Sequence, residues 1–470
     1  MTHSPRMHSG RPSARHSRPA SDARSVALAI LNRLETGRST LDAILEADDS
    51  CRSRLSHRDR ALFNQLVYGV LRWRLRLDSV IAAYADRSLE KMAPTVLNIL
   101  RLALFQILFM DRIPPSAAVN TAVNLARAHK VARAAGFINA LLRTALRKPE
   151  RFRLPDAAVS KVDHLAVATS TPHWLMARWV DRLGLEAARQ LANSTNEIPP
   201  ITVRCNCLKN ELPDLIAALA GDVEKLSPLK TLPGAVHMDG IKKPIFRMKA
   251  FVEGRFAVQD AAAQLVSLLL SPQPGETVLD ACAGLGGKTG HLAQLMDNRG
   301  RIVALDHVSA KLARLADEAR RLGATIIETR QADLNRALPT DEHALYDRIL
   351  IDAPCSGLGV LRRNPDAKWA ARKQNIHRFA DRQYRFLGNL APLLRIGGVM
   401  VFSVCSMEPE ENEAVVDRFL KNHPNFAIDH RISAAETVLH PFLDKRGFLR
   451  TFPHLHHMDG FFAARLTRTG

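Results

Sequence analysis

The chain is poor in cysteine. Six occur in 470 residues: Cys51, Cys205, Cys207, Cys282, Cys355 and Cys405. Their scatter excludes a disulfide scaffold and points to a reducing compartment, and no secretory apolar segment is present, so a cytoplasmic protein is expected. No apolar run reaches the roughly 18 residues that a membrane-spanning helix needs, which excludes a membrane protein. Cys205-x-Cys207 has no matching second pair, and His454, His456 and His457 read as surface groups, so no metal is expected. Acids are also in short supply. Asp and Glu number 47 against 66 Lys and Arg, a net charge of +19. That excess suits a polyanionic partner. Nucleic acid is preferred over an anionic membrane, because neither terminus carries a basic amphipathic helix.

The chain is long enough for about three domains of roughly 150 residues. Residues 1–25 set Arg6, Arg11, Arg15, Arg18 and Arg24 against the single acid Asp22, with almost nothing apolar. Such a segment buries no surface and reads as a disordered basic tail; a transit peptide is the minor alternative. From 26 to 150 the apolar spacing is helical. Ala27, Ile30, Leu31 and Leu34 share one face, and Gly37 ends that helix. Residues 58–81 repeat the pattern through Leu62, Leu66, Val70 and Trp73. Thr95 to Asp111 is apolar all round, the mark of a central buried helix. Ser116, after two prolines, reads as a helix cap. An all-α bundle of five to seven helices is expected, with Arg on many outer faces. Residues 151–171 read as a linker, and 172–250 as a small α+β domain with a strand at Ile201 to Lys209.

From 251 to 470 the order becomes strand, turn, helix, repeated: an α/β doubly wound, Rossmann-like sheet. Gly284, Gly286, Gly287 and Gly290 form a glycine-rich turn opening a helix. Asp306 ends a second strand 20 residues beyond Gly286, where an acid binds a ribose diol. Asp333 ends a third strand, and Asp280 lies beside the turn. NAD and S-adenosylmethionine both fit such a site; acids at successive strand ends suit the cationic sulfonium and amine of the latter better. Tyr346 to Gly357 carries a fourth strand into Asp352, a rigid Pro354 and Cys355. A fifth strand ends at Cys405. Two thiols and a carboxylate at neighbouring strand ends suit methylation at C5 of cytosine. One thiolate adds to C6 and makes C5 nucleophilic, while a carboxyl at N3 steadies the developing charge. A base then removes the C5 proton so that the sulfur leaves. Which thiol attacks is open on these grounds. A redox pair is the competitor, without a Cys-x-x-Cys motif to support it.

The segments DAPCSGLG (352–359), RRNPDAKW (362–369), SVCSMEPEENE (403–413), CAGLGGKT (282–289) and FAVQDAAAQ (256–264) resemble the RNA 5-methylcytosine methyltransferases of the RsmB type. The helical N-terminal part is similar to the NusB RNA-binding fold. The resemblance implies S-adenosylmethionine as cofactor, held by Cys282, Ala283, Gly284, Leu285, Gly286, Gly287, Lys288, Asp306, Asp333 and Asp352. It implies Cys405 as the nucleophile and Cys355 as the releasing residue, with Asp352 at the cytosine. Small-subunit ribosomal RNA is the implied substrate, met by a monomer. The family loop reads Ala-Pro where this chain has Gly284-Leu285, which is expected to loosen the turn. Arg362, Arg363 and Lys368 are candidate contacts to RNA phosphates. Gln259 and Asp260 are candidates to line the cleft. The rival readings are a non-catalytic NusB-like assembly factor and a dinucleotide oxidoreductase with a catalytic Cys.

Overall fold

A computed structural model describes residues 22–48, 55–338, 345–431 and 434–470. The chain divides into two units, Met1–Arg153 and Leu154–Gly470. The basic tail expected over 1–25 falls mostly outside the described residues. Its last residues are already helical, because its one acid, Asp22, is the cap of the first helix and accepts from the Arg24 amide at 3.3 Å.

The first unit shows seven α-helices among its described residues. They are α1 (Ala23–Leu34), α2 (Leu41–Ala47), α3 (His57–Arg72), α4 (Arg74–Tyr84), α5 (Pro94–Phe109), α6 (Pro115–Ala128) and α7 (Ala135–Arg147). The expected pattern over 58–81 is two helices, broken at Trp73. Helix α5 is the buried one: Ile99, Leu100, Leu102, Ala103 and Leu104 are almost without exposure. It crosses α3 so closely that a Cβ at Gly69 would overlap the Phe105 ring. Arg101 is buried on the same helix and is held by charge. Its Nε donates to Asp78 at 2.6 Å and its Nη1 to Glu35 at 2.7 Å. Ser116 is not a cap. Pro115 starts α6, since its fixed φ suits the first helical position, and Ser116 sits one residue inside.

The second unit begins with α8 (Lys161–Ala168), inside the stretch expected to be a linker. Then come α9 (His173–Leu183) and α10 (Leu185–Ser194), split by Gly184 at φ 82°. A four-stranded sheet follows, in the order β2 (Val223–Pro228), β3 (Ala235–Ile241), β1 (Ile201–Cys205), β4 (Phe256–Val258), all antiparallel. Helices α11 (Leu212–Leu219) and α12 (Lys249–Val252) belong to it. Strand β4 lies beyond the expected boundary at 250, being too short to show a pattern of its own.

The large sheet is built from β5 (Thr277–Asp280), β6 (Arg301–Asp306), β7 (Ile327–Gln331), β8 (Tyr346–Asp352), β9 (Leu394–Val404), β10 (Phe426–Ile428), β11 (Leu449–Arg450) and β12 (Phe462–Arg468). Its order is β10-β12-β9-β8-β5-β6-β7, with β11 on β12. The five strands β5 to β9 are parallel, and β12 returns antiparallel to β9. The chain runs outward from β5 to β7, then crosses back to β8 on the other side of β5. The carboxyl ends of β5 and β8 are therefore the switch point where ligands bind in such sheets. Strand β8 is buried on both faces. Ile349 and Ile351 meet Phe386 and Leu387 of α17 (Lys373–Leu390) and Phe419 of α18 (Glu413–Asn422). Leu350 faces Leu265 and Leu269 of α13 (Ala261–Leu270) and Leu292 of α14 (Gly287–Leu295). That is the near-continuous apolar run of a covered parallel strand. Helix α15 (Ser309–Leu322) joins β6 to β7, and the short α16 (Ala367–Ala370) precedes α17. Among the described residues, no helix is long and apolar enough to cross a membrane.

Candidate active site

The turn after β5 is stitched to both neighbouring strands. The Ala281 amide donates to Leu350 O at 2.9 Å, and the Ala283 amide to Leu305 O at 2.8 Å. Gly284 and Gly286 have φ of 58° and 85°. A Cβ on Gly286 would come within 2.6 Å of Leu315. The turn is closed by the Gly286 amide on Ala283 O at 2.9 Å. Leu285 points outward.

Asp306 ends β6 almost fully buried. Its carboxylate accepts from the Gly284 amide at 3.2 Å and the Val308 amide at 2.8 Å. Asp333 lies two residues beyond β7, not at its end, and is exposed. Hydrogen bonds from the Asn335 amide and side chain hold its carboxyl below the ordinary value. A cleft of about 230 Å³ brings together Cys282, Gly284, Asp306, Asp333 and Asp352. Ala283, Leu285, Gly286, Gly287 and Lys288 shape or flank the turn and do not line this cleft. Pro354 also lines it, and Lys311, Leu334, Arg382 and Phe386 are walls that were missed in the sequence. Arg382 and Phe386 lie one turn apart on α17, and only the amphipathic face of that helix hints at them. Cys282 lines the cleft, and burial pushes its thiol well up.

The residues fit a cationic cofactor. Three carboxylates border the cleft. Behind it Asp280 accepts from the Thr289 hydroxyl at 2.7 Å through one oxygen, and its other buried oxygen has no side-chain donor among the described residues. Burial pushes the Asp280 carboxyl up to about 6.

Strands β8 and β9 pair in parallel, with Asp352 opposite Ser403. Asp352 accepts from the Ser403 hydroxyl at 2.8 Å and from Lys288 Nζ at 2.6 Å. Lys288 is buried under the Phe461 ring, 5.1 Å from its centroid. Burial opposes its charge, but Asp352 more than compensates and holds the ammonium above its ordinary value. Beyond the paired strand ends the two sulfurs meet, with Cys355 Sγ 3.3 Å from Cys405 Sγ. The Cys355 thiol is pushed well up, by its hydrogen bond to the Cys405 sulfur and then by burial. The Cys405 loop is pinned to the small domain's helix α9. Fully buried Glu408 accepts from Trp179 Nε1 at 3.2 Å, from Arg182 at 3.1 Å and from Arg178.

The candidate RNA contacts are corrected. Arg362 and Lys368 are buried. Arg362 pairs with Asp459 at 3.1 Å, and Lys368 Nζ donates to Asn196 at 3.0 Å and Ser170 O at 3.3 Å. Arg363 bridges Asp459 and Asp260, each at 2.7 Å. These cations satisfy internal acids and carbonyls, so they tie loops together inside the unit. Asp260 likewise caps α13 through the Ala262 amide, and Gln259 accepts from buried Arg204. Neither lines the cleft.

The switch-point cleft, its acid border and the NusB-like bundle define a methyltransferase dependent on S-adenosylmethionine. Residues 267–467 match the 16S rRNA methyltransferase RsmB/F family, 21–147 the NusB family, and 171–243 the ferredoxin-like domain of RsmF/B-like methyltransferases. The probable ribosomal RNA small subunit methyltransferase B of Bacillus subtilis is 35% identical over 448 residues, 95% of this chain and 99% of that protein. The ribosomal RNA small subunit methyltransferase B of Sodalis glossinidius is 33% identical over 446 residues, covering 94% and 96%. The crystal structure of the protein PH0851 superposes with a TM-score of 0.79 at 26% identity, over 96% of this chain and 99% of that one. The chain belongs to the ribosomal RNA small subunit methyltransferase B family.

Proposed function

We propose that this methyltransferase modifies C5 of a cytosine in small-subunit rRNA through a covalent adduct between Cys405 and C6. The observation that carries this reading is the thiol pair, 3.3 Å apart at the ends of neighbouring parallel strands, beside the Lys288–Asp352 pair. S-adenosylmethionine, when bound, supplies an electrophilic methyl group. The turn at 282–287 and the carboxylates of Asp306, Asp333 and Asp352 hold it, with Arg382 and Phe386 as the far wall.

Cys355, whose thiol is pushed well up, keeps its proton beside the Cys405 sulfur. That sulfur adds to C6, and the electron pair shifts toward C5 and the ring's N3 side, where the Lys288 ammonium, held in place by Asp352, steadies it. After methylation, the C5–H bond breaks to a base and the C5–C6 double bond returns. The C6–S pair goes back to Cys405, received by the Cys355 hydrogen bond. The NusB-like unit and the basic tail assist RNA binding, and the enzyme acts as a cytoplasmic monomer. Tritium transfer from labelled cofactor to unmodified small-subunit rRNA, with digestion to nucleosides, tests the assignment. Label in 5-methylcytidine supports it. RNA binding without incorporation would favour the assembly-factor reading.

A further inference from the structure

Glu411 is a fully buried carboxylate beside the thiol pair that the reaction above does not use. Its environment contains donors rather than a cation. Oε1 accepts from the Ser356 amide at 2.8 Å and from Gln383 Nε2 at 3.3 Å. Oε2 accepts from the Ser356 hydroxyl at 2.5 Å and the Ser406 hydroxyl at 2.6 Å. Ser356 directly follows Cys355, and Ser406 directly follows Cys405. Gln383 also donates to Pro354 O at 3.1 Å, on the near side of the first thiol. One carboxyl group therefore joins the two thiol-bearing loops, which are 50 residues apart. Burying a carboxylate without a cation is costly even when its lone pairs are satisfied. An apolar residue would pack these loops more cheaply, but it would not fix both serines at once.

We propose that Glu411 is a positioning residue for the thiol pair. It sets the separation of Cys355 and Cys405, and its ionised form, disfavoured by burial and favoured by the hydrogen bonds from Ser356, Ser406 and Gln383, works against loss of the Cys355 proton before release. The inference rests on the two-thiol reading of the site. Two properties are supplied together, geometry by the four hydrogen bonds and charge by the carboxylate. The charge acts in the right direction: an anion beside Cys355 disfavours its thiolate, and Glu411 is among the groups that raise it.

The two contributions separate by substitution. Glu411→Gln removes the charge and leaves a group of the same shape. Ser406→Ala removes one hydrogen bond and leaves the charge. The direct readout is iodoacetamide alkylation of Cys355 against pH, followed by peptide mass spectrometry that resolves Cys355 from Cys405. Glu411→Gln is expected to move the Cys355 alkylation midpoint down by on the order of one pH unit. Ser406→Ala is expected to leave that midpoint in place. Both variants are expected to slow release, so that covalent enzyme–RNA adduct accumulates on unmodified rRNA and turnover falls about tenfold or more. Cofactor affinity, measured by calorimetry, stays within about twofold of wild type and reports an intact fold. An unchanged Cys355 profile and adduct lifetime in Glu411→Gln would overturn the proposal, whatever the melting temperature does. Failure of wild-type enzyme to trap 5-fluorocytosine RNA would instead defeat the two-thiol reading, and the alkylation arm would still report on Glu411.

Discussion

Asp280 and Asp352 are both acids at strand ends, yet their surroundings assign them different work. Asp352 is paired with Lys288 and Ser403 and borders the cleft. Replacing it by Ala leaves Lys288 buried without its anion, and kcat should fall by on the order of a hundredfold or more, measured as tritium incorporation. Asp280 is buried and its carboxyl is pushed up to about 6, above an unfolded value near 4. The sign follows from proton counting. Between about pH 4 and pH 6 the folded state binds more protons than the unfolded one, so this group's contribution to stability declines as pH rises through that window. Asp280→Asn should therefore melt a few degrees higher than wild type at pH 7, and the gap should close as pH falls toward about 4. A gap independent of pH in scanning calorimetry would contradict this. The same residue scale explains what was hidden in the sequence. Asp306, Asp352, Cys355 and Cys405 were legible because each follows a short apolar strand. Arg362, Arg363 and Lys368 were misread because a positive charge in a sequence does not name its partner. Asp459, Asn196 and Ser170 come from distant segments, and only the fold brings them to those cations.

At the scale of the element, the cofactor turn is determined by two positive-φ glycines with different tolerances. Gly286 has no room, since an added methyl would lie 2.6 Å from Leu315, and its φ is 85°. Gly286→Ala should weaken cofactor binding at least about tenfold, or about 1.4 kcal/mol, by calorimetry. Gly284 has open space at its Cβ and a φ of 58°. Gly284→Ala should meet only the left-handed strain that both positions share, without the overlap, so its loss of affinity should be smaller than that of Gly286→Ala. Equal losses at both positions would contradict the distinction. Around Gly284-Leu285 the turn is fixed to β8 and β6 by the bonds from Ala281 and Ala283. Long periodic elements such as α5 and the strands β5 to β9 were readable from the sequence. The break at Gly184, the helix inside the expected linker and the edge strand Phe256–Val258 were not. Each is short, and the edge strand is held by pairing with Val203–Cys205, some fifty residues earlier.

At the scale of the whole molecule, a +19 chain should meet RNA through phosphates. The logarithm of rRNA affinity should then fall linearly with the logarithm of salt, by about 0.7 for each phosphate neutralised on single strands. A flat response in filter binding would remove charge from the account of recognition. Arg101, Arg362 and Arg363 are engaged by acids and Lys368 is buried, so these four cations are not counted among the phosphate contacts. The central claim is the division of labour between the two sulfurs, and covalent trapping tests it most directly. Denaturing gels of the Cys355→Ala and Cys405→Ala variants, incubated with cofactor and unmodified small-subunit rRNA, report the adduct itself. The account predicts a stalled protein–RNA adduct with Cys355→Ala and none with Cys405→Ala, even on 5-fluorocytosine RNA. An adduct that survives Cys405→Ala and disappears with Cys355→Ala would contradict it.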